Sequence, residues 1–74
     1  MKTRIITSGT VPAEKIGKME CQILNNPKNR ILGQVEKNYA SLIVWAENEK
    51  TFALAYQGIG QGKYNVSLRE LIQN

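Results

Sequence analysis

Apolar and polar residues alternate most cleanly between positions 41 and 56. In SLIVWA, 41–46, Leu42, Val44 and Ala46 fall on one face of an extended chain and Ser41, Ile43 and Trp45 on the other, because successive side chains of a strand point to opposite sides. Both faces are largely apolar, and the β-branched and aromatic content favours strand over helix. TFALAY, 51–56, sets Phe52, Leu54 and Tyr56 against Thr51, Ala53 and Ala55. The short polar ENEK between them, 47–50, predicts a tight hairpin. Upstream, RILGQVEK, 30–37, alternates Ile31, Gly33 and Val35 against Leu32, Gln34 and Glu36, with Gly33 marking a bulge or bend. MECQIL, 19–24, places Met19, Cys21 and Ile23 on one face and predicts another strand, set off by the turn-forming NNPKN cluster. The opening KTRIIT is a further candidate strand.

Two segments predict helix. PAEKIGKM, 12–19, has Thr10 as a cap, Pro12 at the first turn and Glu14 near the start, with Gly17 limiting it to a turn or two. Near the other end, Ser67 and Glu70 have the S-x-x-E spacing of a capping box, and Leu68, Leu71 and Ile72 share a helical face. Together these elements predict one mainly β domain over 1–74: a small, partly open barrel of short strands with a short C-terminal helical turn. The strand spacing across 16–73 resembles small SH3-like barrels in outline. An α+β sheet with one covering helix is the alternative.

Size limits what this domain can do. A chain of 74 residues buries only about 60% of the surface it exposes when unfolded. No apolar run approaches the roughly 18 residues of a membrane span, and MKTRIITSG lacks the apolar segment of a secretory signal. The single cysteine, Cys21, forms no internal disulfide. The expectation is therefore a cytoplasmic protein with no membrane partner, and Cys21 facing the core.

Catalytic chemistry has little to work with. There is no histidine, the commonest general base and metal ligand. Glu47 and Glu49 fall in an expected turn, where two carboxylates alone hold a metal weakly. The stretch YQGIGQGKY, 56–64, invites comparison with a phosphate loop, but Gln57 stands where the first P-loop glycine belongs and Tyr64 where a small hydroxyl would reach the metal. Residues 57–65 are expected to be a flexible glycine-rich loop. The chain is read as non-enzymatic, without catalytic residues, cofactor or metal.

Charge supplies the functional expectation. Ten Lys and Arg face six Glu, for a net +4, and the first 37 residues carry the whole excess. Lys28, Arg30, Lys37 and Lys63 would neutralise phosphates, while Tyr39 and Tyr64 offer stacking surfaces, so nucleic acid bound with little sequence dependence is the first expectation. A solubilising surface is the plain alternative for such a charge. The functional alternative is a protein-interaction module, a small regulatory or inhibitory protein, or a homodimer. It would act through an edge strand or through an apolar sheet face carrying Ile43 and Trp45.

Overall fold

The computed structural model describes residues 2–72. Their elements are β1 (Lys2–Pro12), α1 (Ala13–Asn25), β2 (Arg30–Lys37), β3 (Ala40–Glu47), β4 (Lys50–Gly60) and β5 (Lys63–Ile72). The five strands form one antiparallel sheet in the order β1-β5-β4-β3-β2. From β2 to β5 the chain is a meander of two-residue hairpins. Their turns use positive φ at Asn38 (56°), at Asn48 and Glu49 (52° and 68°), and at Gln61 and Gly62 (58° and 68°). That left-handed conformation matches the twist of the flanking strands.

β1 and β2 are the two edges, and they do not pair with each other among the described residues, so the sheet stays open. Each edge carries a register shift, between Ile5 and Thr7 in β1 and between Ile31 and Gly33 in β2. A bulge interrupts the row of free backbone groups and so blunts edge-to-edge pairing.

Because consecutive β1 and β2 lie at opposite edges, α1 must cross one face of the sheet. Ile16, Met19 and Ile23 recur at helical spacing and pack onto the core of Ile43, Trp45, Leu54 and Val66. Ile43 and Leu54 sit opposite each other in register, both fully buried. Beside them Trp45 stacks on Phe52 with ring centroids 5.7 Å apart. The helix is tied at both ends. The Ala13 N–H donates to the Gly62 carbonyl at 2.8 Å, and Asn29 Nδ2 donates to the Ile23 carbonyl at 3.1 Å. Midway, the Tyr56 hydroxyl donates to the Glu20 carboxylate. Burial, and then that carboxylate, push the Tyr56 phenol above its ordinary pKa.

The mainly β character and the 41–56 hairpin are as the alternation predicted. Other expectations are corrected. MECQIL is the second half of α1, because Met19 and Ile23 continue the helical stripe begun by Ile16. Cys21 is consequently exposed. The C-terminal helical turn is strand β5: Ser67 Oγ caps nothing and accepts from Arg69 Nε at 2.9 Å. Residues 57–65, expected as a loop, are the end of β4, a two-residue turn and the start of β5.

Leu54→Ala should therefore cost about 2–5 kcal/mol in urea denaturation. Leu42→Ala, on the face away from the helix and 40% exposed, should cost about 0.5 kcal/mol. Equal losses would disprove the one-sided core. Tyr56→Phe should cost about 1 kcal/mol at neutral pH. A raised phenol pKa contributes stability that is present below about pH 10, where unfolded tyrosine begins to ionise. It is lost as pH rises above that value. Thermal melts should accordingly show a shallower alkaline decline in Tyr56→Phe than in the wild type.

Candidate nucleic-acid interface

Directly opposed residues of antiparallel strands share a face, so the register sorts every strand side chain. Ile43, Leu54, Val66 and Leu68 lie under α1. The opposite face has no covering layer among the described residues. Its middle carries no charge: Ala40, Leu42 and Val44 from β3, Ala53, Ala55 and Gln57 from β4, Asn65 and Ser67 from β5.

The charges on this open face are of one sign. Arg30 stands opposite Ala46, Lys37 opposite Ala40, Lys63 opposite Pro12 and Arg69 opposite Ala53. The glutamates are elsewhere. Glu36 pairs with buried Ser41, Glu47 extends the Ile43–Trp45 row, and Glu70 pairs with Phe52 and accepts from Arg4 at 2.7 Å. Glu14 and Glu20 are on α1, and Glu49 is in the β3–β4 turn. The open face thus holds four cations and no carboxylate among the described residues. The other six cations of the chain equal its six glutamates in number, so the net +4 belongs to one face.

The cations frame this surface. Arg30 and Lys37 end β2, Lys63 begins β5, and Arg69 lies near its far end. Three strand spacings separate β2 from β5, about 14 Å. Between them Ala40, Ala55 and Ser67 leave a shallow groove of about 290 Å³, rimmed by Gln57 and Asn65. Thr10 Oγ1 donates to Asn65 Oδ1 at 2.9 Å, which leaves the amide nitrogen of Asn65 as a free donor toward a ligand.

The expected site residues divide. Arg30, Lys37 and Lys63 come together on the open face, with Tyr39 at its end in the β2–β3 turn, 77% exposed. Tyr64 lies on the helix side, edge-on to Tyr56 at 5.7 Å. Lys28 is in the α1–β2 connection, at the end of the sheet away from Tyr39, where its N–H donates to Asn26 Oδ1 at 2.9 Å. Ile43 and Trp45 do not offer a second apolar face: they are 0% and 5% exposed beneath α1, and Leu42 and Val44 occupy the face expected of them. The capping-box spacing of 67–72 favours a helix and so does not place Arg69 on this face, where strand β5 puts it. The alternation of Tyr64, Val66 and Leu68 against Asn65, Ser67 and Arg69 is the signal that would have found it.

Among the described residues no cluster of three or more cysteine or carboxylate side chains could hold a metal, and no helix is long and apolar enough to cross a membrane. No protein-family model, curated protein or solved structure matches the chain.

Proposed function

We propose that the chain is a non-enzymatic domain that binds nucleic acid across its open sheet face, with little dependence on sequence. The observation that supports this is the confinement of the whole net charge to a face free of carboxylates. Each cation that meets a phosphate releases a condensed counterion, and this release dominates affinity. The small side chains of Ala40, Ala55 and Ser67 in the groove let a backbone lie close to the sheet there. Hydroxyl and amide groups of Ser8, Gln57 and Asn65 supply further contacts to phosphate and sugar, which position a strand without reading its bases. A reducing cytoplasm suits the exposed Cys21.

Exposed Val35 and Leu42, at 61% and 40%, support a second reading, in which the same face takes an acidic protein partner. A second copy of the chain fits less well, since it would oppose two faces of the same sign.

Fluorescence anisotropy of labelled oligonucleotides separates these readings. Four phosphate contacts predict that affinity for a single strand falls about 50-fold between about 50 and 200 mM salt. Arg69→Glu or Lys37→Glu should each weaken binding about tenfold at constant salt, whereas Lys28→Glu should change it less than about twofold. Absence of binding at low salt would reject the proposal, and so would equal effects of Lys28→Glu and Arg69→Glu.

A further inference from the structure

One surface feature lies outside the cationic face yet adjoins it. An open trough of about 340 Å³ runs past the β4–β5 turn, lined by Tyr39, Gly58, Gly60, Gly62, Lys63 and Tyr64. We propose that this trough takes one unpaired nucleobase, stacked against Tyr39 and Tyr64, so that the protein prefers single-stranded to duplex nucleic acid. This rests on the nucleic-acid reading above and names its substrate class.

The floor is built of glycines for two different reasons. Gly60 and Gly62 have positive φ, 92° and 68°, and a Cβ at either would meet nothing within 4 Å, so the space above them is empty. Gly58 has no such backbone demand. A Cβ there would stand 3.2 Å from Tyr39 Cβ and 3.4 Å from Tyr64 Cε2. Space, rather than conformation, calls for glycine at the point where the two tyrosines approach. The Gly58 N–H also donates to the Tyr39 carbonyl at 2.7 Å, which fixes the β2–β3 turn beside the floor.

The walls differ in freedom. Tyr64 is braced edge-on by Tyr56, whose hydroxyl is in turn held by Glu20. Tyr39 is 77% exposed, so its ring is accessible to a ligand from solvent. A volume of this size is at the lower end of ligand pockets and suits a planar ring rather than a larger group. Aromatic faces stack on any base, which keeps such a site tolerant of sequence. Lys63 directly precedes Tyr64, and Lys37 stands two residues before Tyr39. A base in the trough would therefore have its flanking phosphates near two of the four open-face cations. In a duplex the base is paired and stacked, and extracting it costs free energy that a single strand does not pay.

The test uses the full chain with single-stranded and duplex oligonucleotides of equal length and sequence, beside NMR titration with an uncharged nucleoside. The wild type should bind the single strand about tenfold more tightly. Tyr39→Ala should remove that preference, with duplex affinity and the salt slope unchanged, and Tyr39→Trp should retain it. The nucleoside should shift the Gly58 and Gly62 amides in the wild type and not in Tyr39→Ala. Because Tyr39 is exposed, both variants should melt with the wild type, and a common melting temperature shows that lost binding is not lost fold. Equal affinity for both oligonucleotides with a steep salt dependence would overturn the trough alone. Unchanged single-strand affinity in Tyr39→Ala, or unshifted glycine amides, would do the same. Failure of the wild type to bind either oligonucleotide would remove the nucleic-acid reading and the trough with it.

Discussion

The packing of α1 against one side of the sheet is the constraint on which the other features rest. β1 and β2 are consecutive in the chain but occupy opposite edges, so their connection has to span three strands. A helix that spans them can bury one apolar stripe, and Ile16, Met19 and Ile23 provide it. Among the described residues no further element covers the other face. The two faces are therefore committed to different environments. One collects Ile43, Trp45, Leu54 and Val66 in a dry core, and the other must remain compatible with water.

Electrostatics follows from that division. Away from the open face the six glutamates are matched in number by six cations, with Arg4 and Glu70 in direct contact. The uncovered side has no such balance. Two unit charges about 14 Å apart in water repel by only about 0.3 kcal/mol, and physiological salt screens most of that. Four cations spread over β2 and β5 therefore cost the free protein little. The same field becomes large when a polyanion lies along it, since each contact then releases counterions. Face-to-face self-association would instead bring eight cations into a shared, less hydrated layer. That asymmetry is why an acidic occupant fits the surface better than a second copy does.

Much of the fold was legible where a single periodicity was available. The 41–46 and 51–56 strands alternate without ambiguity, and the polar residues between them admit only a short turn. The difficulty arose where two periodicities coincide. Met19 and Ile23 are compatible with one face of a strand and also with one stripe of a helix. Only the need to cover the core, a tertiary requirement, decides for the helix. Ser67 and Glu70 have capping-box spacing, but their strand neighbours alternate just as well, and pairing with both β1 and β4 outweighs a marginal two-turn helix. Only as a strand residue does Arg69 join Arg30, Lys37 and Lys63 on the charged face. Arg30, Lys37 and Lys63 were visible as cations, but nothing local in the sequence says that they share a face. That fact exists only in the register.

The glycine-rich segment shows how fold and proposed site are joined. Alternating glycines first suggest a flexible loop, yet here they sit in paired strands around a two-residue turn. Gly62 serves two purposes. Its positive φ completes the turn, and its carbonyl accepts the first amide of α1. The helix start is thereby fastened to the same turn that forms the end of the trough. Tyr64 is braced through Tyr56 to Glu20, also on α1. One wall and part of the floor are thus positioned by the helix that makes the core, whereas Tyr39 is attached only through its own turn and the Gly58 hydrogen bond. A braced ring beside an exposed one is an arrangement that lets a planar ligand enter from solvent and still find a fixed surface to stack on.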